Sequence, residues 1–254
     1  MRTGTGWAGS FGLAVLAVLT ASLALAAGEP QPLELPAGAR VGIVNLLDAE
    51  VTHFHAAKQL QSSFLKTYTV GWPVAAMLAQ ALQARLTQLG FAPAALEASG
   101  ALRDAREACF LNASLAKGLP KECRQPFAQF ASASHVEALV VLGPGLNNSA
   151  HAAAGRHKEL PDYLRGWCLV SGEGAGAPAL LNLTELLLIR PAANGAELAA
   201  RQWGGNEVQT WIGFTPPKDL KMLDDTQLDP ARPLYAAMLS RQVDELLAHL
   251  RATH

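Results

Sequence analysis

The chain has 254 residues, with 20 Lys and Arg against 21 Asp and Glu; half of its residues are apolar and 6% are aromatic. A net charge of −1 and the lack of any run of four basic residues argue against a nucleic-acid binder, which needs a concentrated basic face, and against a polybasic lipid anchor. The composition predicts one aliphatic, Ala-rich core, and the length sets a prior of one domain.

The amino terminus reads as a cleavable export signal over residues 1–26. Arg2 supplies a thin positive region, and Phe11 to Ala27 is an uncharged, mostly apolar run. It ends in Ala24-Leu25-Ala26, the small-x-small pattern that signal peptidase accepts. A spanning helix needs about 20 strongly apolar residues; this run has 17, many of them Ala. A lipid anchor would require a Cys just after the cleavage site, whereas the first Cys is Cys109. The expectation is a soluble chain with no stable membrane anchor after cleavage. Its Ala/Leu/Gly-rich composition suggests a high-GC bacterium and hence the periplasm. Removing residues 1–26 takes away one charge, Arg2, and leaves a balance of −2.

Residues 27–39, Pro-rich and polar at the start, read as an extended linker, and residues 40–254 as a single α/β domain. Val41 to Leu47 is a short apolar run that predicts a buried first strand. Glu50 to Val70 carries alternating and β-branched or aromatic residues and predicts a β-hairpin insertion after that strand. Pro73 suits a helix start, and Val74, Met77, Leu78, Ala81, Leu82, Leu86 and Leu89 follow at helical spacing until Gly90. A strand is expected over Phe91–Ala98, helices around 101–116 and 121–134, and an apolar strand over Val136–Leu142. Residues 146–163 read as a loop, Trp167–Ser171 as a strand and Gly172–Pro178 as a Gly-rich turn. Leu180–Arg190 and Ala196–Trp203 form a hairpin about Ala193-Asn194-Gly195. Residues 204–230 look irregular, and Arg232–Arg251 reads as a C-terminal amphipathic helix with Leu234, Met238, Val243, Leu246, Leu247 and Leu250 inward. Hairpins mixed with a helix-linked strand pair predict a mixed sheet with helices packed on it.

Of the three cysteines, Cys109 and Cys123 are the expected disulfide in an oxidising compartment, since they flank the turn Lys117-Gly118-Leu119-Pro120. Closing that loop stabilises the fold by roughly 3 kcal/mol on the chain-entropy model. Cys168, in an apolar strand after Trp167, reads as a buried thiol.

Three pieces of the chain carry a family resemblance. They are Val41-Gly-Ile-Val-Asn-Leu46 with the helix ending in Leu89-Gly-Phe91, the segment Phe130 to Gly143, and the hairpin Leu186 to Ala199. Together they resemble the α/β fold shared by the TolB amino-terminal domain, CsgG and LpoB, over about half of the chain beyond the leader. The resemblance implies that fold and a role in binding partners during envelope assembly, without catalysis. It brings no functional residues with it. The chain departs from the pattern in having no lipidation Cys, an insertion over 48–72 and an added segment over 204–230.

One constellation could carry chemistry. On a strand, His53 and His55 face the same way, about 6.5–7 Å apart by strand rise, with Asp48 and Glu50 just upstream. Imidazoles beside carboxylates can hold zinc or another divalent cation, or do acid/base work; the alternative is a polar face on an exposed hairpin. No third ligand is obvious from sequence; His151 and His157 in the later loop reach the pair only if the fold brings them there. A second feature is Trp203 to Pro217, where Trp203, Trp211 and Phe214 among Gly and Pro form either a partner-binding surface or a segment that folds back over the sheet. Gly143-Pro-Gly145 lacks the third glycine of a dinucleotide loop, and Ser171 lacks the nucleophile-elbow glycines. The leading expectation is thus a periplasmic, non-catalytic protein that binds an envelope partner and needs no cofactor. The alternatives are a secreted metal-dependent hydrolase using Asp48, Glu50, His53 and His55, and a small-molecule binding protein.

Overall fold

The computed structural model describes residues 32–111, 118–145, 164–173, 177–205 and 208–253. The export signal, the first residues of the linker, His151, His157 and the centre of the Gly172–Pro178 turn lie outside the described residues. The strands are β1 (Leu33–Pro36), β2 (Arg40–Asn45), β3 (Glu50–Ala56), β4 (Phe64–Thr69), β5 (Ala92–Leu96), β6 (Ala138–Pro144), β7 (Gly166–Gly172), β8 (Ala179–Ala192), β9 (Gly195–Trp203), β10 (Val208–Thr210) and β11 (Leu250–Thr253). The helices are α1 (Val74–Gln88), α2 (Gly100–Phe110), α3 (Lys121–Ala133), α4 (Asp225–Leu228) and α5 (Arg232–Leu247).

The main sheet runs β4-β3-β7-β8-β6-β2-β5, with β9 and β10 also paired to β8. Strand β8 joins two half-sheets. Its first residues pair with β7 on one side and β10 on the other, and its later residues with β6 and β9. The sheet is mixed: β2 is parallel to β5 and β6, β3 is parallel to β7, and β8 is antiparallel to all its partners. This is the α/β architecture expected from sequence, with the β3–β4 hairpin inserted directly after the first strand of the main sheet.

Strand alternation sorts the apolar residues onto the two faces. Val41, Ile43, Val140, Leu142, Leu186 and Leu188 meet α1 and α5 in one core. Val44, Leu139, Val141, Leu187 and Ile189 meet α2 and α3 in the other. Full coverage of both faces is why β6 and the middle of β8 are apolar at consecutive positions. Gly143 belongs to the second face, where the Phe110 ring lies against it; a Cβ there would sit 2.5 Å from the ring.

The disulfide joins Cys109, in the last turn of α2, to Cys123, in the first turn of α3. Cys168 is a fully buried free thiol. Burial pushes its pKa up to about 12, with the Arg165 backbone acting weakly the other way.

A buried polar network fixes α5 on the sheet. Gln242 donates to the carbonyls of Gln202 (2.7 Å) and Thr184 (3.2 Å) and accepts from the Asn182 amide (3.1 Å). The Thr184 hydroxyl donates to Asn182 Oδ1 at 2.7 Å. Buried amides with their partners in place favour one register of helix on sheet.

Three expectations change. Part of the linker, Leu33–Pro36, is a strand, because the C-terminal residues Leu250–Thr253 pair with it in parallel. The C-terminal helix accordingly stops at Leu247 and does not reach Arg251. Leu250 would be inward as helix or as strand, so helical spacing accommodates it; pairing with β1 decides for the strand. Segment 204–230 is not wholly irregular, since it holds β10 and α4, the latter opened by a capping box between Asp224 and Gln227.

Candidate functional site

Strand β2 is the point where the sheet reverses direction. From β2 the chain passes through α1, on one face, to β5; from β5 it returns through α2 and α3, on the other face, to β6 on the far side of β2. Right-handed crossovers running in opposite directions require helices on opposite faces. Such a reversal leaves a crevice outside the carboxyl ends of the two diverging strands, where open α/β sheets bind ligands.

A crevice of about 100 Å³ occupies that position. Leu47 and Asp48, just after β2, and Pro144, at the end of β6, line it. Asn45 shapes the exit from β2: its Oδ1 accepts from the Leu47 N–H (3.1 Å) and its amide donates to the Leu47 carbonyl (2.9 Å). Glu50 and Thr52 come from β3, Thr67 from β4, Arg106 and Glu107 from α2, and Arg165 from the start of β7. Arg106 is anchored by Asp48 Oδ2 at 2.5 Å and by the Leu46 carbonyl at 3.4 Å. Thr52 and Thr67 face each other across the β3–β4 hairpin with hydroxyls 3.2 Å apart. Arg165 lies 3.8 Å from Glu107. The disulfide holds the α2 end of this wall, since Cys109 follows Arg106 and Glu107 by less than one turn.

His53 and His55 lie on the opposite face. Val51, His53 and His55 are buried and point toward the α1/α5 side, whereas Glu50, Thr52 and Phe54 alternate to the crevice side. The four-residue cluster of Asp48, Glu50, His53 and His55 is therefore split by the sheet, because a strand sends odd and even positions to different faces. Among the described residues, no group of three or more His, Cys, Asp or Glu is placed to hold a metal ion.

The imidazole pair instead shares a hydroxyl. Ser171 Oγ is 2.7 Å from His53 Nε2 and 2.8 Å from His55 Nδ1. The Phe64 ring packs edge-on to His53 and stacks on His55. Segment 220–223 closes over them, with Lys66 donating to the Lys221 carbonyl (2.5 Å) and Tyr68 to the Leu220 carbonyl (3.2 Å). Burial, and secondly the neighbouring His55, lower the His53 pKa to about 4; the Leu220 carbonyl acts the other way. One hydroxyl has one proton to donate, so the arrangement is directional. Ser171 donates to one of the two imidazole nitrogens and accepts from the other, so the tautomers of the two rings are set as a pair; His53 Nδ1 is buried without a hydrogen-bond partner among the described residues.

The aromatic segment folds back over the sheet. Trp211 is 4% exposed, and its ring packs 4.7 Å from Phe214, which is half-buried against the α1/α5 core. Trp203 is half-buried beside Cys168, Leu181 and Leu183. Ile212, at 87% exposure, and Val208 are the large apolar side chains that face outward among the described residues of this stretch. Thr67, Arg106, Glu107 and Arg165 were not singled out from sequence, and Ser171 was weighed only as a nucleophile. Strand parity alone would have paired Thr52 with Glu50 on one face; nothing local signals that Arg106 meets Asp48, 58 residues away. Glu185, 3% exposed, was also missed: burial raises its pKa, and Arg201, with Nε 2.9 Å away, draws it back.

No described helix is long and apolar enough to cross a membrane. No protein-family model and no curated protein matches the chain. Among solved structures, the chain is similar to a PelC dodecamer variant from Paraburkholderia phytofirmans at 11% identity, with 88% of this chain and 95% of that one covered and a TM-score of 0.28.

Proposed function

We propose that the chain is an exported protein of the periplasm that acts by binding an envelope partner, and that the crevice at the ends of β2 and β6 is where it binds. The observation that carries this reading is the convergence of five charged side chains and two hydroxyls on one pocket at the switch point of the sheet. The leader-like amino terminus and the Cys109–Cys123 disulfide support the oxidising compartment. Binding suits the chemistry of the crevice. Its carboxylates and guanidiniums lie side by side, as in polar recognition. The walls are also preformed by the Asp48–Arg106 pair and by the disulfide behind α2, which lowers the ordering cost of association.

A photo-crosslinking residue placed at Thr67 in the native host tests the reading. The expected result is a defined product from the processed, exported protein. The same residue at Lys121, on α3, gives no such product, and Arg106→Ala abolishes it. Equal labelling from Thr67 and Lys121, or retention of the full-length leader in the cytoplasm, would refute the proposal. The size of the crevice favours a second reading, a small-molecule binding protein. About 100 Å³ is the space of roughly three to four waters at ~30 Å³ each, enough for one small polar group. Under that reading, Thr67 yields no protein adduct, and a small ligand co-purifies.

A further inference from the structure

We propose that the crevice holds an ammonium–carboxylate pair, the head of an α-amino acid, either free or carried on a larger molecule. This rests on the crevice being the binding site. Asp48 and Arg106 pair with each other, and the same guanidinium nitrogen also reaches the Leu46 carbonyl, so these two charges largely offset one another. Three charges remain, Glu50, Glu107 and Arg165, and the last two are within ion-pair range of each other at 3.8 Å. Among the described residues no hydrogen bond or ion pair engages the Glu50 carboxylate, which is exposed at the start of β3 beside the Thr52 and Thr67 hydroxyls. Arg165 is half-exposed, and at 3.8 Å its contact with Glu107 is beyond hydrogen-bond length, so its donors remain open.

Glu50 opens β3 and Arg165 immediately precedes β7, and both line the crevice. Parallel pairing sets Val51 level with Trp167, so Glu50 and Arg165 stand at neighbouring strand starts, one residue out of register. Among the described ion pairs, Arg165 meets Glu107 and not Glu50. A ligand bearing only a positive group would leave the Arg165 guanidinium facing it, and one bearing only a negative group would meet Glu50. A ligand with both satisfies each side. Its ammonium donates to Glu50 and the threonine hydroxyls, and its carboxylate accepts the planar fork of Arg165. The crevice, about 100 Å³, admits a head of this size.

Backbone-amide NMR of the purified protein, titrated with defined probes, tests the inference. Glycine supplies the bare head, and γ-glutamylglycine carries the same head on a longer body. Glycine methyl ester masks the carboxylate, and N-acetylglycine masks the ammonium. The expected result is a saturable shift at Thr52 and Thr67 with glycine, γ-glutamylglycine or both, and binding weaker by about tenfold or more with either masked probe. Glu50→Gln and Arg165→Gln should each weaken the intact probes to the same extent, and Lys121→Gln should leave them unchanged. Glycine alone points to a free amino acid; γ-glutamylglycine alone points to a head presented on a larger body. Equal binding of masked and intact probes, or indifference to both variants, would overturn the inference. So would silence from every probe. If the Thr67 crosslink to a partner still forms in that case, only the zwitterion is lost; if it fails too, the crevice reading falls with it.

Discussion

Lowering the pH protonates the imidazole of His53 in the unfolded chain well before the folded one, because in the fold the ring is buried beside His55 and its pKa is lowered to about 4 from 6.5. A group with a depressed folded pKa contributes stability that is present above its unfolded pKa and lost as pH falls through the window down to the folded one. Here the window runs from pH 6.5 to about 4. At 1.36 kcal/mol per unit, the full loss is about 3 kcal/mol, and roughly 2 kcal/mol of it has gone by pH 4.5. Glu185 works in the opposite direction. Its raised pKa gives stability that is present below its unfolded pKa and lost as pH rises through the folded one, so the raw pH profile mixes the two. The variant His53→Gln isolates the histidine, because an amide keeps a hydrogen-bonding atom facing Ser171 but does not titrate. Urea unfolding at pH 7 and pH 4.5 should show the wild type losing about 2 kcal/mol more than the variant, a midpoint difference on the order of 1 M. Equal pH slopes for the two proteins would refute the assignment of the acid sensitivity to this buried imidazole.

The remaining predictions concern the parts that hold the crevice and the sheet. Gln242→Leu should cost about 2–3 kcal/mol in chemical denaturation, since it takes the acceptor from the buried Asn182 amide and a donor from the Gln202 carbonyl, while the Thr184 carbonyl keeps the Gly204 N–H; a loss under about 1 kcal/mol would mean the network is not satisfied as described. Cys123→Ala should destabilise by roughly 3 kcal/mol, and reduction of the wild type should raise its intact mass by two hydrogen atoms. Gly143→Ala should cost about 1–3 kcal/mol, because the new methyl meets the ring of the buried Phe110; an unchanged melting temperature would show that the ring is free to move.

Most of the element order was legible in the sequence because it rests on local periodicity. Apolar residues at helical spacing marked α1, alternation with β-branched residues marked the β3–β4 hairpin, and Asn194-Gly195 marked the turn between β8 and β9. The disulfide was legible too, since its partners lie 14 residues apart around a turn. The linker and the end of the last helix changed because a remote strand decides the outcome at each. Residues 33–36 and 250–253 are each too short to be strands alone, and each is one because the other is beside it.

The candidate site divides in the same way. Alternation along 50–55 is written in the chain, and it assigns Glu50 and Thr52 to one face and His53 and His55 to the other. What each face meets is a tertiary matter. Ser171 reaches the imidazoles because β7 pairs with β3, and Arg106 reaches Asp48 because α2 crosses above the end of β2. By itself, the sequence determined which residues could share a face, since side-chain direction follows from backbone period. Only the folded structure decided which faces confront one another, because that depends on strand order and crossover, and these bring together groups separated by 58 to 118 residues whose encounter leaves no local mark.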